Sequence, residues 1–166
     1  MPSTFLLDAA AALLARRTSI IVGTRDAAHQ PHLMRAVGCR IEPEARRLRV
    51  LLPADGSESL RADLASNGCI AVVLSEPSTH RTLQVKGSDA TVEDATPEDI
   101  EFAARYLEGF VDEIGTLGFP AEVAHTMLRF EGPLQVVRFT PTEGFEQTPG
   151  PAAGHRLSAG SAGPSP

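Results

Sequence analysis

Arg35-Ala-Val-Gly-Cys-Arg40, Leu48-Arg-Val-Leu-Leu52, Ser57-Glu-Ser-Leu-Arg-Ala-Asp-Leu-Ala-Ser-Asn67, Cys69-Ile-Ala-Val-Val-Leu74 and Thr82-Leu-Gln-Val-Lys-Gly87 follow one another along the chain, and their order decides the fold. Ser57–Asn67 reads as a helix. Leu60 and Leu64 lie four apart on one face, Ser57 or Ser59 stands where an N-cap belongs, and Asn67-Gly68 supplies a C-cap. The other segments are short runs rich in Val, Ile and Leu and read as strands; Ile70–Leu74, apolar almost throughout, reads as a central strand covered on both faces.

Outward from this stretch the same punctuation continues. Ser19-Ile-Ile-Val-Gly-Thr24 is a β-branched strand, Asp26-Ala-Ala-His-Gln30 a turn, and Pro31 opens a return strand reaching Ile41. Glu42-Pro-Glu-Ala-Arg46 is a second hairpin loop. A long strand runs from about Arg81 to Val92, and Leu134-Gln-Val-Val-Arg-Phe139 is the last one. Ser3 or Thr4 caps a first helix running to about Arg17. Thr96-Pro97 followed by Glu98 and Asp99 starts another, with a hydroxyl cap, proline in the first turn and acids at the positive end of the dipole. It continues past Leu107 and stops before Gly115 or Gly118, and a short helix follows from Pro120 to His125 or Leu128. Six strands in hairpin order with helices inserted predict a mainly β protein with helical additions, an antiparallel six-stranded barrel. Residues 1–145 form the domain, and 146–166 are a Pro/Gly/Ser-rich tail, partly disordered.

Composition narrows the function. The 166 residues are 42% hydrophobic and 22% charged, with a net charge of −6, as in ordinary soluble proteins and unlike a nucleic-acid-binding surface. Lys86 is the only lysine, so nearly all the positive charge is arginine. Cys39 and Cys69 stand in apolar strand contexts without a CxxC pair and read as reduced core residues of a cytoplasmic protein. The apolar run Phe5–Leu14 has no basic segment before it and is too short to span a bilayer, so no membrane association is expected. His29, His32, His80, His125 and His155 are scattered, and no metal site is expected.

The strand order and the Arg35–Arg40 motif resemble the FMN-binding split barrel of the pyridoxamine 5′-phosphate oxidase-like family, over roughly Thr4 to Thr140. In that family a strand motif Arg-x-Val-x-x-Lys borders the flavin. The resemblance implies that Arg35 faces the phosphate and that Ala36, Val37, Gly38, Cys39 and Arg40 border the ring system, Gly38 letting a flat ring approach the backbone. The family's Tyr-Thr-type pair at the end of the next strand and its Ser-Arg-Lys triplet at the following helix start fall here on Pro53-Ala54 and Glu58-Ser59-Leu60, so the second basic pair is missing. Arg61, Ser57 and Ser59 are the residues left to replace it, with free helix N–H groups. A Gln that meets the flavin's pyrimidine edge falls on Thr82, with Gln84 on the same strand face.

The resemblance further implies a homodimer with FMN at the subunit interface and a small-molecule substrate. The alternatives are a non-catalytic flavin or haem carrier, with His80 or His125 as haem ligand, or an F420-dependent reductase, whose longer anionic tail would call on Arg35, Arg40, Arg61 and Arg81. No residue stands out as an acid or base, so catalytic residues are unassigned. The chain has no Trp and no C-terminal Arg-x-His clamp, so vitamin B6 synthesis is not expected.

Overall fold

The computed structural model describes residues 4–159. The elements are α1 (Thr4–Leu14), β1 (Ser19–Arg25), β2 (Pro31–Arg35), β3 (Gly38–Glu42), β4 (Arg47–Pro53), α2 (Glu58–Asn67), β5 (Ile70–Ser75), β6 (Thr82–Gly87), β7 (Thr91–Asp94), α3 (Pro97–Gly115), α4 (Ala121–Met127), β8 (Leu134–Phe139) and β9 (Glu143–Glu146). The strands form two antiparallel sheets: β2-β1-β5-β6-β9, here called the first, and β3-β4-β8-β7, the second.

The helices fall where the sequence signals put them. Thr96 caps α3 in a reciprocal box with Asp99, and Gly68 ends α2 with φ of 66°, a left-handed conformation that glycine adopts without penalty.

The described residues form nine strands rather than six, for physical reasons. The return strand expected from Pro31 to Ile41 is two strands, because the chain changes sheets at Ala36-Val37. The Ala36 N–H donates to the Ile20 carbonyl of the first sheet at 2.9 Å, and the Val37 N–H donates to the Leu51 carbonyl of the second at 2.9 Å. The long strand expected from Arg81 to Val92 breaks after Gly87, so β6 pairs with β5 while β7 pairs with β8. The ninth strand, β9, has too few apolar residues to be read from periodicity, and it lies across the boundary expected at residue 145. Beyond it the chain turns back onto the sheet. Gln147 N–H donates to the Thr82 carbonyl (2.9 Å), Leu157 N–H to the Gly144 carbonyl (2.8 Å), and Leu157 packs on the core. Of the 146–166 tail expected to be partly disordered, residues 160–166 lie outside the described residues.

Between the sheets is the barrel core. Ile20, Val22, Val72, Leu74, Val85, Leu48, Val50, Leu52, Val137 and Phe139 meet there with Leu7, Ala10 and Leu13 of α1 and with Leu60 and Leu64 of α2. A second apolar layer forms on the far side of the second sheet, where Leu51, Leu134 and Val136 pack under Ala103, Phe110 and Ile114 of α3 and Ala124 of α4. Strand β4 is therefore buried on both faces, which explains why its sequence is apolar almost without interruption. Of its two arginines, Arg47 opens the strand and faces Asp89, while Arg49, only 5% exposed, meets the N-terminus of α3.

Candidate functional site

The first sheet buries one face in the barrel and leaves the other half-exposed, as the alternating burial of β1, β5 and β6 shows. Directly opposed residues of neighbouring strands share a face, so the register lays out that open side in rows. One row is Arg35, Ile21, Val73, Gln84 and Phe145. The next toward one end of the sheet is Ser19, Ser75 and Thr82. Arg35 from β2 and Thr82 and Gln84 from β6, far apart in the sequence, thus come together on one surface. Arg35 and Gln84 are three strand spacings apart, about 14 Å.

Side-chain hydrogen bonds order this row. Arg35 Nη1 donates to Ser19 Oγ at 2.5 Å. Ser75 Oγ and Thr82 Oγ1 share a hydrogen bond of 2.6 Å. Ser19 and Ser75 also line an apolar cavity of about 380 Å³, whose opposite wall is Phe110 and Ile114 of α3, Val123 and Met127 of α4, and Leu117 and Phe119 between those helices. Leu117, Phe119 and Met127 are among the most exposed large apolar residues of the described chain (45%, 53% and 40%), and all three stand at this cavity. An apolar hollow with two serine hydroxyls at its edge, one of them bonded to an arginine, has the usual composition of a small-molecule site. Sequence reasoning missed Ser19, Ser75 and the helical wall. The signal available was Leu117-Gly-Phe119, an apolar pair at a helix end where polar residues are the rule.

The remaining predicted residues do not join this face. Gly38, Cys39 and Arg40 belong to β3 in the second sheet. The flat ring over Gly38 is the chain's own Phe102: a Cβ built on Gly38 would lie 3.2 Å from that ring and 3.1 Å from Leu51. Cys39 is in the barrel core, where burial pushes its thiol up to about 12. Ala36 and Val37 are buried at the sheet crossover. Arg40 is engaged with α3, donating to Glu98 Oε1 (2.8 Å) and Asp99 Oδ1 (2.9 Å). The motif position of Arg40 is local and points to the flavin strand, whereas its ion pairs span 58 and 59 residues, where no local pattern links the partners.

The start of α2 forms a separate, self-satisfied cluster. Ser57 Oγ donates to the Ala54 carbonyl (2.8 Å), Arg61 Nε donates to Ser57 Oγ (3.1 Å), and Arg61 Nη2 reaches the Ala54 carbonyl (3.3 Å). Pro53 is paired with Leu134 of β8, Leu60 is a core residue, and Ser59 is exposed. His80 and His125 are exposed residues of a loop and of α4. His32 is different. Its Nδ1 lies 2.7 Å from Asp63 Oδ2, which also accepts from Thr24 Oγ1 at 2.6 Å, clipping β1 and β2 to α2. Burial opposes ionisation of Asp63, but these two hydrogen bonds outweigh it and hold the carboxyl below the usual aspartate range. Among the described residues no group of three or more His, Cys, Asp or Glu could hold a metal ion, and no helix is long and apolar enough to cross a membrane.

Comparison with known proteins identifies the fold. HupZ of Group A Streptococcus superposes with a TM-score of 0.52 at 18% identity, over 93% of this chain and 100% of that one. An F420 reductase superposes at 0.50 with 16% identity, over 80% of this chain and 93% of that one. The fold is the pyridoxamine 5′-phosphate oxidase-like split barrel. A pyridoxamine 5′-phosphate oxidase-related, FMN-binding protein of Nostoc punctiforme also matches, at 14% identity over 87% of this chain and 85% of that one, with a TM-score of 0.49. No family model and no curated protein matches the chain by sequence. At these identities the split barrel is shared as a fold, and function has to be argued from the chain's own residues.

Proposed function

We propose that this split barrel is an FMN-binding oxidoreductase acting on a small molecule, with the cofactor lying on the open face of the first sheet. The observation that carries the reading is the convergence of Arg35, Thr82 and Gln84 on that face, beside an apolar cavity. Arg35 supplies a forked, charge-assisted donor set for a phosphate. Thr82 and Gln84 offer a hydroxyl and an amide for the polar edge of a ring system, and Ile21 and Val73 give it a flat apolar bed. The cavity wall of Phe110, Ile114 and Phe119 excludes water from one side. These residues fit a planar cofactor with one anionic group. The α2 cluster adds nothing to that fit, because Ser57 and Arg61 satisfy one another. A bound flavin would supply hydride or electron transfer, while the protein contributes binding, orientation and exclusion of water.

The test is an absorption spectrum of the purified protein after incubation with FMN and desalting. Retained flavin bands are expected; loss of all flavin on desalting would overturn the reading. Retention of F420 in place of FMN would identify a deazaflavin user, a reading consistent with the likeness of fold to an F420 reductase. NAD(P)H-dependent reduction of the retained cofactor separates an enzyme from a carrier.

The same face is proposed as the contact between two copies of the chain. Leu33, on β2 of this face, is 72% exposed, and Ile21, Val73 and Phe145 continue an apolar strip from it across the sheet. Leu33→Glu introduces a charge at the start of that strip without touching either apolar core. It is expected to convert the dimer to monomer in sedimentation equilibrium while leaving the circular dichroism spectrum unchanged. A wild-type monomer, or a variant that remains dimeric, would remove this face as the interface.

A further inference from the structure

A second cavity, of about 280 Å³, lies between the end of α1 and α3. Phe102, Tyr106 and Phe110, at intervals of four on one face of α3, make its aromatic wall. Two contacts hold that wall in place. Tyr106 Oη donates to the Thr18 carbonyl at 2.6 Å, and the Tyr106 and Phe110 rings stack with centroids 6.2 Å apart.

The charged groups lining the cavity are all cationic: Arg16, Arg17 and Arg105. The carboxylates that pair with them stand outside it. Glu76 holds Arg16, Asp112 holds Arg17, and Glu101 lies 3.9 Å from Arg105. The pairs of Arg17 and Arg105 are exposed on both partners, so exchanging them for a better-placed anion costs little. The Arg105 guanidinium lies 5.9 Å from the centre of the Phe102 ring, which puts positive charge against the aromatic wall. Cys39 at the same cavity is a neutral thiol and adds no competing negative charge.

Gly109 points the same way. It sits inside α3, where glycine costs stability relative to alanine. A Cβ there would meet the Arg17 side chain at an ordinary contact distance of 3.8 Å, and Arg17 Nη1 donates to the Gly109 carbonyl at 3.3 Å. No clash demands a glycine there, and its missing side chain leaves room on the cavity wall beneath the Arg17 side chain.

We infer that this cavity binds a planar aromatic anion, an aryl carboxylate in chemical terms. The ring stacks on the α3 aromatics and the charge lies between Arg17 and Arg105. A guanidinium matches the planar, two-oxygen geometry of a carboxylate, and the stacked wall selects flat rings over aliphatic chains. The inference is independent of the flavin reading.

Calorimetric titration of the full chain with naphthoate, and with naphthylmethanol as its neutral counterpart, tests it. Saturable one-to-one binding of naphthoate is expected, with the alcohol at least about tenfold weaker. Arg17→Gln combined with Arg105→Gln should weaken naphthoate about tenfold; Arg16 is left alone because buried Glu76 depends on it. Gly109→Met should abolish binding by filling that room, and its thermal midpoint should be at or above the wild-type value, which separates blocking from unfolding. Binding should persist in protein preincubated with FMN. Equal affinity for the alcohol, retained binding in Gly109→Met, displacement by FMN, or no saturable binding at millimolar concentration would each overturn the assignment.

Discussion

Asp99→Ala is expected to lower stability by about 3–5 kcal/mol, read from the urea midpoint at neutral pH. The carboxylate is fully buried and joins three parts of the fold. Arg49 of β4 grips it with two nitrogens, Nε to Oδ1 at 2.8 Å and Nη2 to Oδ2 at 2.5 Å, and Arg40 of β3 adds a third contact at 2.9 Å. On its own element it closes the α3 cap, accepting from the Thr96 backbone N–H at 2.9 Å. Arg49 also meets Glu93 and Glu42, and Arg138 bonds to Glu42 (2.7 Å), so the network continues across the second sheet. Truncation leaves a buried guanidinium short of its main partner and opens the cap, which alone is worth about 1 kcal/mol. A loss below about 1 kcal/mol would show that the network behaves like a set of surface pairs.

The sign of its pH dependence follows from the same contacts. The hydrogen bonds from Arg49, opposed by burial and aided by Thr96, hold the Asp99 carboxyl well below the usual carboxylate range. A depressed native pKa contributes stability that is fully present above the unfolded-state value, about 4. That stability is lost as the pH falls from there toward the native value. Asp63, also depressed, acts in the same direction. Asp99→Asn keeps an acceptor for the cap but loses the charge, so it should show a smaller neutral-pH loss and a flatter acid limb than the wild type.

How far the sequence can be read is visible in these residues. Thr96-Pro97-Glu98-Asp99 announced a helix start, because capping is local and its residues are adjacent. The role of Asp99 as the anchor of Arg49 was hidden, since the partners are fifty residues apart and nothing periodic links them. The same distinction sorts the candidate site. The alternation of Thr82 and Gln84 along one strand correctly put them on one face. Whether Arg35 shared that face depended on the pairing of β1 with β2 and β5, which only tertiary structure sets. The motif Arg35–Arg40 looked continuous but spans the switch from one sheet to the other, so its ends serve different sheets: Arg35 the open face, Arg40 the α3 anchor. Two pairs of strands read as single ones: at Ala36-Val37 no proline or turn residue marks the break, and after Gly87 the turn residues Ser88-Asp89 are too few to interrupt the apolar pattern, while β9 is too polar to announce itself.

Arg35→Ala is expected to weaken FMN about tenfold to a hundredfold, measured by quenching of flavin fluorescence. Arg35 is half-buried, with its guanidinium directed at the Ser19–Ser75 end of the open face. It is also the cation felt by Tyr106, whose phenol is pushed up by burial and partly restored by the Arg35 charge. No buried carboxylate holds it, in contrast to Arg40 and Arg49, so its charge is available to an anion, and removing it should change folding stability by less than about 1 kcal/mol. Arg61→Ala is the informative companion. Arg61 already donates to Ser57 and to the Ala54 carbonyl, so its loss should leave FMN affinity within about twofold of wild type. The reverse pattern, an intact affinity in Arg35→Ala and a large loss in Arg61→Ala, would move the phosphate to the start of α2 and take the open face of the first sheet out of the site. Equal losses in both would mean that one anion bridges the two arginines, which requires the α2 cluster to release Arg61 on binding. The pair therefore decides where the anion sits, through a difference in how the two are held: among the described residues Arg35 bonds a neutral hydroxyl that lines a cavity, whereas Arg61 is tied to its own helix cap.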